Sequence, residues 1–180
     1  TEDLSDVAAL NLIHQTGVDR DGRPIITIAA KNLPAKTMDL ERVLLYAISV
    51  LDSVVEREYT IVYFHSGMTS ENQPEFSWLK QIYSIFNRKY KKNLKALFLV
   101  HPTFIVKTVL WFVTPFVSKK FWKKVTYIDR LHDIYGHIDS QQVEVPAFVH
   151  EHDAKLHGTD YFRAGAPDSS NATAGTHDDL

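Results

Sequence analysis

The sequence contains no cysteine. This absence excludes disulfide bonds, thiol catalysis and zinc sites built from cysteine. The glycine-rich patterns that hold nucleotide phosphates, Gly-x-Gly-x-x-Gly and Gly-x-x-x-x-Gly-Lys, are also missing, so no nucleotide site is predicted. The Gly-x-Ser-x-Gly pattern of a nucleophile elbow does not occur either, although His65-Ser66-Gly67 follows a predicted strand. We therefore expect a protein that is not an enzyme, with no catalytic residues.

Acidic residues are absent from residues 76–128, which we call the basic segment. The rest of the chain holds 9 basic and 22 acidic residues, so a chain of net charge −2 divides into a +11 segment and a −13 remainder. Such an asymmetry indicates an anionic partner. All three tryptophans lie in the same segment, which favours a membrane over an acidic protein or a nucleic acid. The eleven basic residues are Lys80, Arg88, Lys89, Lys91, Lys92, Lys95, Lys107, Lys119, Lys120, Lys123 and Lys124.

Two clusters within the basic segment are candidate docking sites. In the second cluster four lysines bracket an aromatic pair, an arrangement that places rings at a lipid headgroup boundary and ammonium groups on phosphates. The alternative for both clusters is a solvated helix face or helix end. The first cluster, for lipid or an acidic partner, is Arg88, Lys89, Lys91, Lys92 and Lys95; the second, for membrane lipid, is Lys119, Lys120, Phe121, Trp122, Lys123 and Lys124.

Nine histidines raise the question of a metal site. No His-Glu-x-x-His pattern occurs, and His150, His152 and His157 fall in a segment expected to be solvated. Zinc needs three or four convergent ligands. The sequence therefore predicts no metal site and no cofactor.

Alternating strands and helices predict the fold class. An Asp-Gly pair at Asp21-Gly22 between apolar runs indicates a hairpin, and order is expected to fade after Pro146 because apolar periodicity stops there. We predict an α/β fold with a mixed, mainly parallel sheet flanked by helices. The predicted strands are residues 10–16, 24–30, 59–65, 94–100 and 125–128, and the predicted helices are residues 40–56, 74–90, 103–117 and 129–137, with a basic turn at 118–124.

The predicted helix at residues 103–117 is apolar nearly all round. Such a helix is either deeply buried or covers an apolar cavity. The surrounding stretch, residues 96–118, is long enough to suggest a membrane span, but Pro102, Lys107 and Pro115 interrupt it. We therefore do not expect it to cross a bilayer.

Three strings of the sequence resemble the CRAL-TRIO lipid-binding fold. They are Gly17-Val18-Asp19-Arg20-Asp21-Gly22-Arg23-Pro24-Ile25-Ile26, then Tyr59-Thr60-Ile61-Val62-Tyr63-Phe64-His65, then His101-Pro102-Thr103-Phe104 through Pro115-Phe116-Val117 with the lysine-rich turn and Val125-Thr126-Tyr127-Ile128. The third string resembles the hydrophobic gate helix over a lipid pocket. The resemblance implies a gate helix and apolar pocket formed by Phe104, Lys107, Leu110, Trp111, Phe112 and Phe116.

The closer resemblance is to the BCH subclass, as found in Rho GTPase-activating proteins. It rests on Thr69-Ser70-Glu71-Asn72-Gln73-Pro74, Ser77-Trp78-Leu79 and Phe86-Asn87-Arg88-Lys89-Tyr90-Lys91-Lys92-Asn93-Leu94-Lys95-Ala96-Leu97. It implies a non-catalytic regulatory scaffold that binds Rho-family small GTPases, forms a homodimer and docks on anionic phosphoinositide membranes, without nucleic acid. The alternative is a lipid-binding or lipid-transfer domain that carries a hydrophobic ligand, a possible bound lipid, under the gate helix.

The same resemblance sets the expected domain limits and location. Residues 1–9 are expected to be flexible, residues 10–150 to form the CRAL-TRIO/BCH-like domain, and residues 151–180 to be a disordered tail or linker toward a GAP domain absent from this sequence. The acidic start Thr1-Glu2-Asp3-Leu4 is unlike a signal peptide. The expected location is cytoplasmic and peripheral at membranes.

Overall fold

A five-stranded sheet forms the centre of the computed structural model, which describes residues 2–86 and 88–158. The strands follow one another across the sheet in chain order. The first two are antiparallel, and all other neighbours are parallel. The predicted α/β class with a mixed, mainly parallel sheet is confirmed. The strands are β1 Ile13–Val18, β2 Pro24–Ala29, β3 Tyr59–Phe64, β4 Leu94–Val100 and β5 Val125–Ile128.

Helices connect the parallel strands and cover both faces of the sheet. Short 3-10 helices at Ala30–Asn32, Ser70–Asn72, Thr114–Phe116 and Leu131–Gly136 complete the connections. The α-helices are α1 Ser5–Ala8, α2 Leu40–Asp52, α3 Phe76–Ile85, α4 Arg88–Asn93, α5 Phe104–Val113, α6 Lys119–Trp122 and α7 Ala147–His157.

Each face of the sheet has its own core, because successive residues of a strand point to opposite sides. Ile25 and Ile26 in β2 are both fully buried, one in each core. On one face β2, β3 and β4 pack against the 3-10 helix Leu131–Gly136 and α7. On the other they pack against α2 and, through partly buried side chains, α3, α4 and α6. Burial on both faces explains why these strands read as continuous apolar runs.

Both ends of the domain extend further than the sequence predicts. The segment expected to be flexible, residues 1–9, contains α1, whose Val7 is fully buried. Arg42 of α2 binds Asp6 with two hydrogen bonds, at 2.6 and 2.8 Å. The expected fading of order after Pro146 is wrong for residues 147–157, which form α7 with Val149 and Asp153 buried. The boundary placed at residue 150 falls inside this helix, and the predicted tail at 159–180 lies outside the described residues.

The helix predicted at residues 74–90 is in fact two helices. Phe86 ends α3 with extended backbone, at φ −66° and ψ 101°, and α4 begins at Arg88. An amphipathic helix here would place Phe76, Leu79, Ile82, Tyr83 and Phe86 inward, but Phe76 and Leu79 are exposed. Only Ile82, Tyr83 and the following Phe86 are half-buried. At the start of α3 only Trp78 is half-buried, with its indole nitrogen enclosed.

The hairpin between β1 and β2 is held by one carboxylate. Gly22 takes a positive φ of 77°, as the predicted Asp-Gly turn requires. Asp19 Oδ1 accepts from the backbone N–H groups of Asp21 and Arg23 at 2.9 Å, and Oδ2 accepts from the Thr60 hydroxyl at 2.9 Å. Burial alone would raise the pKa of Asp19, but these hydrogen bonds outweigh it and lower the pKa. Asp19 thus fastens the turn to β3.

We predict that Asp19→Asn lowers the free energy of unfolding by about 1.5–3 kcal/mol, since it removes hydrogen bonds to a charged group. The contribution of Asp19 is present above its unfolded pKa and is lost as the pH falls through the lowered folded pKa. The variant should therefore lose less stability on acidification than the wild type. Urea denaturation at neutral and at acidic pH measures both effects.

The control is Asp21→Asn, because Asp21 is exposed in the same turn and binds Arg23 only at the surface. Its effect should stay within about 0.5 kcal/mol. Equal losses for the two variants would contradict the role assigned to Asp19.

Candidate functional site

Helix α5 leaves the sheet directly from the end of β4. His101, the first residue after β4, has a positive φ of 53°, and Pro102 follows it. The Thr103 hydroxyl then accepts from the Val106 N–H at 3.2 Å and caps the new helix. The chain therefore turns sharply at His101, and α5 joins neither of the two cores beside the sheet.

The apolar surface of α5 faces outward. Phe104, Phe116 and Trp111 are 84%, 82% and 70% exposed, and Ile105 and Phe112 are exposed as well. Deep burial, one of the two expectations for an all-apolar helix, is wrong: no residue of α5 is buried. The gate-helix assignment stays a prediction. We call these five side chains, from α5 and the 3-10 helix that follows it, the apolar surface. A contiguous exposed apolar surface marks a site for a membrane or another protein.

Two other predicted gate-helix residues point back toward the protein. Leu110 is half-buried. Lys107 Nζ lies 2.9 Å from Asp129 Oδ1, and the same ammonium lies 5.6 Å from the centre of the Tyr127 ring. Lys107 therefore anchors α5 to the end of β5.

Helix α6 divides the lysine-rich turn into an outer and an inner side. The Ser118 hydroxyl accepts from the Phe121 N–H at 3.2 Å and starts the helix. Phe121 joins the core beside α2, and its ring meets Tyr83 edge-on at 6.4 Å. Trp122 is half-buried, with its indole N–H enclosed. The aromatic pair therefore packs inward in this structure, whereas Lys119, Lys120 and Lys123 are exposed.

The fourth lysine of this turn has a structural contact. Lys124 Nζ donates to the Lys91 carbonyl oxygen at 2.6 Å, near the end of α4. Burial, and secondarily the charge of Lys95, lower the pKa of Lys124. A cation at a helix C-terminus stabilises the helix through its dipole and its free carbonyl groups. Lys124 thus ties α6 to α4.

Several residues of the first basic cluster are also engaged within the protein. Lys89 binds Glu56, and this bond raises the pKa of Lys89. Lys95 lies 2.7 Å from Glu58, and the Lys91 ammonium lies 3.8 Å above the centre of the Tyr83 ring. Acidic residues outside the basic segment therefore neutralise part of it.

Within the described part of the basic segment, six cations remain exposed and without an ion pair. They lie on α3, α4 and α6, which contact one another through Tyr83, Phe121, Lys91 and Lys124. Only a few residues of chain separate the apolar surface from α6. The exposed lysines of α6 therefore lie beside that surface. We call the six the basic face: Lys80, Arg88, Lys92, Lys119, Lys120 and Lys123.

A second cluster lies at the carboxyl ends of β3 and β4, and the sequence did not predict it. The Ser66 hydroxyl lies 2.6 Å from His101 Nδ1, and His101 Nε2 lies 2.7 Å from Asp153 Oδ1. These are the residue types of a hydrolase triad, but all three side chains are buried. His157 lies beside this cluster, with its ring centre 6.4 Å from that of His101. The sequence signal for the cluster is the spacing of Asp153 and His157, one helical turn apart in α7.

Comparison with known proteins identifies the family. The family model described as a divergent CRAL/TRIO domain matches residues 22–155. The chain belongs to this family. The predicted CRAL-TRIO resemblance is confirmed, while assignment to the BCH subclass stays a prediction.

Relatives of this CRAL/TRIO domain occur within longer proteins. The chain is 49% identical over 147 residues to the Rho GTPase-activating protein gacY of Dictyostelium discoideum, which covers 82% of this chain and 20% of that protein. It is 43% identical over 158 residues to ganglioside-induced differentiation-associated protein 2 of Xenopus tropicalis, with 88% of this chain and 32% of that protein covered. The chain thus spans about a fifth to a third of these relatives.

A solved structure confirms the fold of the CRAL/TRIO domain. The crystal structure of Sfh5 superposes with a TM-score of 0.62 at 14% identity, covering 89% of this chain and 66% of that one. Among the described residues, none of the helices has the length and apolar character needed to cross a bilayer.

Proposed function

We propose that this CRAL/TRIO domain docks on anionic, phosphoinositide-containing membranes as a peripheral, non-catalytic module. The observation that carries this proposal is the apolar surface of α5 beside the exposed lysines of α6. An amphipathic arrangement of this kind suits a lipid surface, where rings enter the acyl boundary and ammonium groups meet phosphates.

The apolar contribution comes from α5 and the turn after it. Moving one Phe side chain fully out of water contributes about 1.5–3 kcal/mol. The rings of Phe104 and Phe116 are almost completely exposed, so nearly all of that free energy is available for docking. An acidic protein surface would leave these rings in water.

The electrostatic contribution comes from fewer lysines than the sequence suggested. Lys107 and Lys124 are engaged within the protein. Lys119, Lys120 and Lys123 are exposed, and each lysine near an anionic leaflet contributes about 1 kcal/mol. Three together correspond to roughly a hundredfold in affinity, and this part should weaken as salt is added.

We predict that replacing Lys119, Lys120 and Lys123 with Glu lowers binding to phosphoinositide vesicles by about 100-fold or more, because the substitution reverses the favourable charge. Flotation with phosphatidylcholine vesicles, with and without phosphoinositide and at low and high salt, measures the loss. The fold should be unchanged, since the three side chains are exposed.

The matched control replaces Lys36, Arg57 and Lys155 with Glu. These three side chains are exposed and lie outside the basic segment, so the net charge changes equally. Equal losses in both variants would show that net charge alone governs binding, and unchanged binding of the first variant would contradict docking through α6.

We predict that Phe104→Ser and Phe116→Ser each weaken vesicle binding by about tenfold or more, since each removes a ring that enters the acyl boundary. Phe76→Ser is the control, because Phe76 is exposed on α3 rather than beside α5. Unchanged binding would mean that α5 stays out of the membrane. Sedimentation of the same variants tests self-association: a dimer that only the α5 substitutions dissociate would assign the apolar surface to a second copy.

A regulatory role toward a Rho-family GTPase is the second candidate function. It is supported by the 49% identity to the Rho GTPase-activating protein gacY and by Arg88 and Lys92, which are exposed on α4 and suit an acidic partner surface. Lipid carriage under α5 has the support of the family assignment, but the outward side chains of α5 favour docking.

We predict that Arg88→Glu with Lys92→Glu reduces capture of Rho-family GTPases in pull-downs by about tenfold or more, as expected when charges at an interface are reversed. Lys36→Glu with Arg57→Glu is the charge-matched control. Full capture by the first variant would exclude α4 from the interface, and vesicle binding in the same variants separates a lipid role from a protein one.

A further inference from the structure

We propose that His101, Asp153 and His157 form a binding site for a divalent transition-metal ion of the zinc class. Each residue offers one ligand atom, and these atoms all lie within 4.8 Å of one another. Two imidazoles and one carboxylate are a donor set that zinc accepts, with a fourth position left for water or a further ligand. The sequence does not predict this site because His101 follows β4, whereas Asp153 and His157 fall in a segment expected to be disordered.

The Asp153 carboxylate, at the centre of the cluster, is buried and incompletely hydrogen-bonded. The Asp153 side chain is 1% exposed. Its Oδ1 accepts from the Leu131 N–H at 2.9 Å and lies 2.7 Å from His101 Nε2, but its Oδ2 has no hydrogen-bond partner in the described part of the chain. A buried carboxylate oxygen without a partner is unfavourable. A divalent cation at this point would supply both the missing contact and the missing charge.

Both histidines are oriented as metal ligands usually are. Metal-bound imidazoles donate their second N–H to a neighbouring oxygen, which fixes the ring and its tautomer. The Ser66 hydroxyl lies 2.6 Å from His101 Nδ1 and is able to accept a proton from it. Without a metal, His101 Nε2 donates to Asp153 Oδ1 at 2.7 Å, and a bound cation would take the place of that proton. His157 Nε2 lies 2.8 Å from the Asp129 carbonyl oxygen. A carbonyl only accepts, so Nε2 carries the proton and Nδ1 of the neutral ring keeps its lone pair.

The backbone and a further imidazole fit the same assignment. His101 holds a positive φ of 53°, a conformation that costs a non-glycine residue of order 1 kcal/mol and persists where the surroundings impose it. The His152 ring centre lies 5.2 Å from that of His101, so a third imidazole lies beside the cluster.

The test is titration of the metal-free, tag-free chain with Co²⁺, followed by displacement with Zn²⁺. We expect one equivalent to bind and to give the visible absorption of Co²⁺ with nitrogen and oxygen ligands. His157→Gln should weaken binding by more than about 100-fold, the upper figure for loss of a group that only supports a ligand. His157 lies outside the buried core, so this substitution leaves the fold intact.

His150→Gln is the matched control, because His150 is exposed on the same helix. It should bind Co²⁺ as the wild type does. Ser66→Ala should weaken binding by about tenfold through loss of the oxygen that orients His101, and circular dichroism confirms its folding. Absence of stoichiometric binding to the wild type, or equal losses in His157→Gln and His150→Gln, would overturn the proposal and leave the cluster as the hydrogen-bonded attachment of α7.

Discussion

The hydrogen bond between His101 and Asp153 is the contact on which the arrangement of this domain depends. It is buried, at 2.7 Å, and it joins the end of a central strand to α7 on one face of the sheet. Asp153 Oδ1 also accepts from the Leu131 N–H, so the same oxygen holds the 3-10 helix after β5. Removing one partner of such a pair leaves the other buried and uncompensated, which costs several kcal/mol. This one carboxylate oxygen therefore fixes how α7 and the 3-10 helix attach to the end of β4 beside the apolar core of that face.

The charge of the basic segment is divided by the fold into two parts with different roles. Lys89, Lys95 and Lys107 bind carboxylates that precede or follow the segment in sequence. Lys124 binds a backbone carbonyl. These contacts hold the helices to the sheet, and the lysines that remain exposed form the basic face. The excess of eleven positive charges is thus larger than the charge that a partner would meet.

The sequence predicted the strands well, because buried parallel strands are continuous apolar runs that few other elements imitate. It failed where a pattern has two physical explanations. An all-apolar helix is expected to be buried, yet α5 is exposed. The sequence pattern of a helix does not show whether another part of the protein packs against it. The buried face of α7 includes the charged residue Asp153, so the sequence lacks the apolar stripe that would predict this helix. Helix α6 has only four residues, too few for apolar periodicity to predict which side faces the protein. Packing against Tyr83 places Phe121 on the inner side. The candidate site was therefore found by residue type, while the direction of each side chain came only from the fold.

His101 also connects the two proposed binding sites, the buried histidine–aspartate cluster and the apolar surface of α5. Its side chain belongs to the cluster with Asp153, and its backbone, at φ 53°, sets the direction in which the chain enters α5. The backbone φ and the side-chain contacts belong to the same residue. A ligand that restricts the His101 imidazole therefore also restricts the backbone turn. A metal ion on His101 would stabilise the present direction of α5. A bilayer that moved α5 away from the sheet would instead weaken the contact between His101 and Asp153 of α7. If both sites bind as proposed, the two events would be coupled through His101, favourably where the docked helix keeps its present direction and unfavourably where it does not.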